Sequence, residues 1–522
     1  MGRVRNVLFI MCDQLRADHL SCYGHPHLHT PNIDALAARG VRFGRAYVQS
    51  GVCGPSRMSY YTGRYMTSHG ATWNRVPLSV GELTLGDYLR GNGLSAALTG
   101  KTHAVPDRDG LARFHIEGDS ELAALLRNGG FSELDRYDGH APPGSESGYA
   151  AFLREHGYTG SDPWSDYVIS AVGASGQVVG GWHMRNARLP ARVKEEHSET
   201  AYMTDQAIGF IRQQGVKPWV LHLSYVKPHW PYMAPAPYND LYGAEHCLPP
   251  NRSQAELEDQ HPVLAAYRHH EESVNFARDE VIATVKPTYM GLIKQIDDHL
   301  GRLWNTLEQC GRWDDTLVLF ASDHGEYTGD HWLGEKEQFF EEALRVPLIV
   351  YDPDPAANAT RGATEQRFAE CVDVLPTILD ALAIPGAPHL IEGRSLLPLT
   401  RAGRDADGWR DCVFSELDYS FRHARQLLGR HPRDCRAWMV RTDDWKYVHW
   451  LDYRPQLFDL WADPNEFCDL GADPRLEQVR AALRERLFDW MSRLKLRTTI
   501  SDADAELRTN AHKAHGIFFG MW

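Results

Sequence analysis

The chain has 522 residues, 43% hydrophobic, 24% charged and 11% aromatic, ordinary globular proportions that exclude global disorder and a small disulfide scaffold. Lys and Arg number 55 against 69 Asp and Glu, and the net charge of -14 repels polyanions, so nucleic acid is not an expected partner. No apolar run approaches the ~18 residues of a membrane span, and the scattered cysteines form no C-x-x-C pair, so we expect a cytoplasmic protein with no signal peptide, anchor or disulfide framework.

In chain order, residues 6–12 (NVLFIMC) form a continuous apolar run closed by Asp13, the pattern of a strand buried on both faces that ends at a polar edge. Thr30, Pro31 and Asn32 open a helix that Gly40 closes. The loop before it carries His25, His27 and His29, whose alternation beside Pro26 reads as a surface loop. Pro55 opens a further helix over 56–61, which puts Cys53 at a helix N-terminus, where N–H groups favour negative charge. Residues 96–99 form a short strand running into Gly100-Lys101-Thr102-His103, and 107–197, rich in Gly, Pro and Ser, read as long excursions over the sheet. The strand grammar recurs at 219–225 before Lys227-Pro228-His229, at 316–321 before Asp323-His324, and at 346–351 before Asp352. A helix is expected from Pro287 to about Gln309, with Ile293, Ile296, Leu300 and Leu303 on one stripe.

Strand and helix alternate, which implies an α/β fold with a doubly wound, mostly parallel sheet flanked by helices. Ligands bind such sheets at the carboxyl ends of the strands, where these Asp, Lys and His residues fall. From about residue 400 the pattern changes: 437–441 and 445–450 form a hairpin, and Asp473-Pro474 opens a helix to about Leu494. The expected division is a catalytic domain over 1–400, a smaller α+β domain with an antiparallel sheet and a helix over 401–500, and a tail over 501–522. The apolar end of that tail suggests an oligomerisation arm, so a homo-oligomer, dimer or tetramer, is expected.

The most informative stretch is Cys53-Gly54-Pro55-Ser56-Arg57. Read from the residues, Cys53 is a reactive or metal-binding cysteine with Arg57 one turn away as an oxyanion partner. At this motif the chain resembles the sulfatase branch of the alkaline phosphatase superfamily, and the resemblance runs from Asn6 to about Leu470, where DLWADPNEFCDL is similar to the family's C-terminal domain. It implies that Cys53 is oxidised after synthesis to formylglycine by the host's formylglycine-generating machinery, with Arg57 steadying the hydrate that acts as nucleophile. It implies metal ligation by Asp13 and Asp323, joined here by His324, by Gln14 as a weaker ligand and by the residue at Cys53. Lys101 and His103 stand in a G-K-x-H element, His229 in K-P-H-x-P, and Lys336 matches a second anion-binding lysine. Asn74 is a further candidate for contacting substrate oxygens.

Two departures place the branch. Gln14 stands where typical sulfatases carry a second aspartate, and His324 where they carry asparagine. Both resemble phosphonate monoester hydrolases and the arylsulfatases related to them, whereas Lys101 and His103 are of the sulfatase type. The roles implied are Lys101 and Lys336 clamping ester oxygens, His229 serving the leaving oxygen, and His103 helping to deprotonate the second hydroxyl of the hydrate. An imidazole ligand favours manganese, with calcium held open. The expected activity is hydrolysis of aryl sulfate monoesters, with phosphonate monoesters and phosphodiesters as further small-molecule substrates. The alternatives are a phosphonate monoester or phosphodiester hydrolase and a non-catalytic binding protein whose Cys53 stays a thiol.

Overall fold

The computed structural model describes residues 4–139, 147–401 and 406–516. Seven strands build the main sheet: β1 (Asn6–Asp13), β2 (Val41–Tyr47), β3 (Ala96–Gly100), β4 (Ser132–Arg136), β5 (Val220–Pro228), β6 (Thr316–Ser322) and β7 (Arg345–Tyr351). Their order across the sheet is β2, β7, β6, β1, β5, β3, β4, and the two-residue segments Thr364–Glu365 and Ala369–Glu370 pair with β2 at one edge.

β1 lies at the centre, parallel to β5 on one side and β6 on the other. Every residue of β1 is buried, because its alternate side chains enter two different cores. Val7, Phe9 and Met11 face one cluster, and Leu8, Ile10 and Cys12 face the other. Helices cover both faces, as expected of a doubly wound sheet. α1 (Pro31–Arg39) and α4 (Asp279–Gln309) pack on the second cluster with α3 (Glu199–Gln214), while α2 (Cys53–Thr62) sends Met58, Tyr60 and Tyr61 into the first.

Several expectations change. α4 begins at Asp279, eight residues before Pro287, which lies inside the helix. Val281, Ile282 and Val285 are buried on the same core, so packing carries the helix through the proline that sequence reading takes as its first residue. β7 runs antiparallel to both β2 and β6, so Asp352 lies at the sheet edge opposite the strand ends β1, β3, β5 and β6 share, where it pairs with Arg401 at 2.5 Å. The same reversal brings the 323–344 connection, which leaves β6 and enters β7 at one edge, across the carboxyl ends of the strands. The 107–197 excursions contribute an unforeseen edge strand, β4. His25 is 4% exposed, and its Nδ1 accepts from the N–H groups of His27 and Leu28, so this histidine builds the turn from within.

The C-terminal region forms a separate four-stranded antiparallel sheet of β8 (Val413–Asp418), β9 (Arg436–Arg441), β10 (Trp445–Trp450) and β11 (Gln456–Asp459) in sequential order. α5 (Glu477–Ser492) packs Leu483, Leu487 and Trp490 on Val440, Tyr447 and Leu457. Asp473 caps a 3-10 turn over Pro474–Leu476 ahead of this helix. The small sheet holds the 323–344 connection from outside: the fully buried Lys446 ammonium donates to Phe339 O at 2.8 Å and pairs with Glu341 at 3.0 Å. The expected arm falls partly on residues 517–522, outside the described residues. No helix among the described residues is long and apolar enough to cross a membrane.

Candidate active site

Cys53 is the first residue of α2, and all ten residues of that helix are buried. The main-chain N–H of Gly54 donates to Asn74 Oδ1 at 2.7 Å, and a Cβ at Gly54 would lie 2.8 Å from that oxygen, so glycine is what lets Asn74 seat the first turn. Gly63 ends the helix with φ 67°, a conformation glycine adopts without strain. Tyr60 ties α2 to the end of β6 by donating to Ser322 O at 2.9 Å.

Arg57, one turn into α2, is completely buried between two carboxylates that end adjacent strands. Its Nε donates to Asp323 at 2.8 Å and a terminal nitrogen donates to Asp13 at 3.0 Å. The other terminal nitrogen donates to Lys101 O at 2.8 Å and Ser224 Oγ at 2.7 Å. One guanidinium thus joins the ends of β1, β3 and β6 to the middle of β5, which is why an Arg, with its planar fork, occupies this position. Lys101 Nζ pairs with the same Asp13 at 2.5 Å. Burial alone would raise the Asp13 carboxyl, but Lys101, His229, Arg57 and His324 together hold it well below the usual carboxylate range.

His324 Nε2 stands 3.1 Å from Cys53 Sγ, while its Nδ1 lies 2.8 Å from Gly325 O, the contact that assigns the proton to Nδ1 and leaves the Nε2 lone pair facing the cluster. Burial and Asp13 push the Cys53 thiol up, and Lys101, Lys336 and His324 more than offset this, so its pKa falls below the ordinary thiol value. Lys336 donates from Nζ to His229 Nε2 at 3.2 Å and to Gln14 Oε1 at 3.1 Å. It reaches the site because Glu337 forms an antiparallel bridge with Gly51, two residues before Cys53; a Cβ on Gly51 would lie 3.0 Å from the Glu337 Cα. Glu335 and Glu337, on either side of Lys336, hold left-handed φ of 62° and 96°, strain concentrated where the chain must present this lysine.

The structure therefore brings Asp13, Gln14, Cys53, Arg57, Lys101, His229, Asp323, His324 and Lys336 into one linked cluster, with Asn74 attached through Gly54. His103 follows Lys101 by two residues with φ 58°, and Asp138 Oδ1 accepts the main-chain N–H groups of Thr102 and His103 at 3.0 and 3.2 Å. Asp138 escaped sequence reading because no motif marks it. Glu326 and Tyr232 also escaped it, although they stand three residues beyond Asp323 and His229. Gln14 donates from its amide to Glu326, and the Tyr232 hydroxyl donates to the same carboxylate at 3.1 Å. Burial pushes the Glu326 carboxyl up to about 7. Lys227 is buried, donating to His229 O at 3.3 Å and Pro231 O at 3.1 Å, and so holds the loop that carries His229.

One donor atom each from Asp13, Cys53, Asp323 and His324 lies within 4.8 Å of the others. Two carboxylates, one imidazole nitrogen and the position of Cys53 converge as the ligands of one divalent cation should, so the donor set fits the metal that the motifs imply. Arg57, Lys101 and Lys336 place three cationic groups around Asp13, Asp323 and Cys53, positive charge that an anionic ester would meet.

Residues 5–384 match the Sulfatase family, and 329–493 match the C-terminal region described for N-sulphoglucosamine sulphohydrolase. The multifunctional alkaline phosphatase superfamily protein PehA of Trinickia caryophylli is 34% identical, over 93% of this chain and 95% of the relative. An arylsulfatase of Clostridium perfringens is 28% identical over 89% and 90%. Among solved structures, phosphonate monoester hydrolase of Agrobacterium radiobacter aligns with a TM-score of 0.81 at 29% identity, covering 94% of this chain and 95% of the other. That of Silicibacter pomeroyi reaches 0.82 at 29% identity, covering 96% and 98%. With its motifs, its strand-end cluster and these likenesses in agreement, the chain belongs to the sulfatase family, within the alkaline phosphatase superfamily fold.

Proposed function

We propose that the protein is a formylglycine-dependent, metal-dependent hydrolase of small aryl sulfate monoesters, with phosphonate monoesters and phosphodiesters as further substrates. The observation that carries this reading is the position of Cys53, on the N-terminus of a buried helix, with Lys101, Lys336, His229 and His324 around it. A cation held by Asp13, Asp323, His324 and the residue at 53, manganese in preference to calcium, supplies Lewis acidity there, and formylglycine at 53 supplies a hydrated aldehyde as nucleophile.

The chain's own residues do the rest. Lys101 and Lys336 neutralise the non-bridging oxygens of the bound ester, which otherwise repel a nucleophile. Lys336 stays charged, because although burial disfavours its ammonium, Cys53, Glu335, Asp13 and Asp323 all favour it. His229 shares its Nε2 with Lys336, and its Nδ1 lies 2.6 Å from Trp230 O, which fixes the ring. When substrate oxygens take up the Lys336 donor, His229 Nε2 is released, takes up a proton from solvent, and as the imidazolium donates it to the leaving oxygen. Arg57 keeps both metal-binding carboxylates in place. Asp138 fixes the turn that presents His103, the base for the second hydroxyl.

Two measurements test the reading in sequence. The tryptic peptide over 46–57, weighed with and without an aldehyde-reactive hydrazide, carries an aldehyde at position 53 in protein from the native host; an intact thiol there removes the nucleophile. The kcat/KM for 4-nitrophenyl sulfate then exceeds that for phenyl phosphonate esters. A phosphonate preference of orders of magnitude would instead favour the second reading, a phosphonate monoester hydrolase, which the likeness to the Agrobacterium and Silicibacter enzymes supports. The protein is further expected to be a dimer or tetramer.

A further inference from the structure

A cavity of about 850 Å3 opens beside the residues that neighbour His229 and Lys336. Trp230, which follows His229, and Glu335, which precedes Lys336, both line it, so its wall is built by the immediate chain neighbours of those two site residues. The remaining walls come from the 181–185 loop and from the start of α4 and the short helix before it. Four aromatic side chains line it: Trp182 and Trp230, with ring centroids 5.9 Å apart and planes tilted by 58°, and Tyr232 and Phe276, 6.3 Å apart.

Two of the cavity's carboxylates are paired with arginines. Arg278 pairs with Glu280 at 3.1 Å, and Glu272 is bound by Arg422 from the C-terminal sheet region. Arg185 and Glu271 also line the cavity, and both are exposed to solvent. Glu335 is half-buried beside Lys336, whose charge it favours, but among the described residues its carboxylate takes part in no hydrogen bond or ion pair and so is free to meet a ligand. A carboxylate beside two indole faces is the chemistry that recognises an organic cation, because the rings and the charge both attract it and neither requires it to shed a tight hydration shell.

We infer that this cavity is the leaving-group site and that it selects esters whose organic group carries an ammonium, read by Glu335 and the Trp182 and Trp230 rings. The inference rests on the hydrolase reading above, in which His229 faces the leaving oxygen. It goes further by naming the class of group that departs: an alcohol or phenol with a quaternary or substituted ammonium on the side away from the reacting oxygen. Glu335 is a specificity residue here, and no proton or electron passes through it.

The test pairs 4-(trimethylammoniomethyl)phenyl sulfate with its neutral isostere, 4-neopentylphenyl sulfate, on wild type and Glu335→Gln. Wild type favours the cationic ester by about tenfold in kcat/KM, and the substitution reduces that ratio to near one, whatever it does to both rates together through Lys336. An unchanged ratio in the variant overturns the inference. The corresponding phenols are titrated calorimetrically into the same proteins, which separates this idea from the hydrolase reading. Tighter binding of the cationic phenol, lost in Glu335→Gln, sustains the inference even where neither ester turns over. Equal binding of the two phenols ends it even where both esters are hydrolysed. Trp182→Ala, on a half-exposed loop side chain, serves as a second variant and is expected to weaken the cationic phenol alone.

Discussion

The two sides of the site are built by different physics. On the acid side, Asp13, Arg57, Lys101, Asp323 and His324 are each fully buried, stand at strand ends or on a helix packed on the sheet, and are bonded to one another. On the organic side, the cavity draws on loops and helix starts, and Trp182 is 50% exposed. Chemistry that must place charges to within a fraction of an ångström rests on the rigid sheet, and selection of the departing group rests on segments that change without disturbing it. The small antiparallel sheet bridges the two sides, since Lys446 pins the connection carrying Lys336, and Arg422 reaches both Glu272 at the cavity and, at 3.0 Å, Glu337.

The sharpest contrast comes from Cys53→Ala. It should lower kcat/KM for every ester by at least about 10³-fold, since loss of a nucleophile is felt by all substrates alike. Residual activity within tenfold of wild type would place the nucleophile elsewhere. Next in size is Arg57→Ala, which leaves two buried carboxylates facing each other without their shared cation. Chelator-treated protein should lose about 3–5 kcal/mol of unfolding free energy, read by denaturant titration, and a loss below about 1 kcal/mol would show that Lys101 alone compensates. Smaller, and aimed at the boundary between the two sides, is Lys101→Tyr combined with His103→Thr. Aryl sulfate hydrolysis should fall about tenfold more than phosphonate hydrolysis, and equal losses would remove these residues as the basis of sulfate preference.

The smallest effect lies outside the site, at His331. Burial disfavours its imidazolium, but Glu342 and Glu256 more than compensate and raise its pKa to about 10. The folded value exceeds the unfolded one, about 6.5, so the stabilisation is complete below about 6.5 and disappears as pH rises through about 10. Between pH 7 and 10.5 the wild type should therefore lose roughly 1–3 °C more in Tm than His331→Gln does. Parallel Tm curves for the two proteins would mean the His331 network carries no such linkage.

Much of the anion side is legible in the linear chain because each of its residues stands in a short motif at the end of an apolar run. Cys53 and Arg57 share five residues, Lys101 follows 96–99, and Asp323 follows 316–321. The supporting residues are not legible for the opposite reason. Asp138 sits in an excursion with no periodicity, Glu326 and Tyr232 act on Gln14 from separate segments, and the burial of Lys227, 5% exposed, follows from the fold and not from its motif. Pro287 misleads for a related cause: the local rule for proline is correct, and the burial of Val281, Ile282 and Val285 outweighs it.

The sequence by itself determined the alternation of buried strands and amphipathic helices, the sulfatase motifs, and which side chains could carry the chemistry, because these depend on residue type and on spacing within ten or so positions. The tertiary structure alone decided the direction of β7, and with it the path of 323–344 across the strand ends that delivers Lys336 to Cys53. It also decided which carboxylates Arg57 joins and that Glu335 turns its carboxylate to the cavity wall beside Lys336. Strand pairing and charge pairing across some 270 residues of chain are set by packing and by the cost of burying an uncompensated charge, and neither is written in any local stretch.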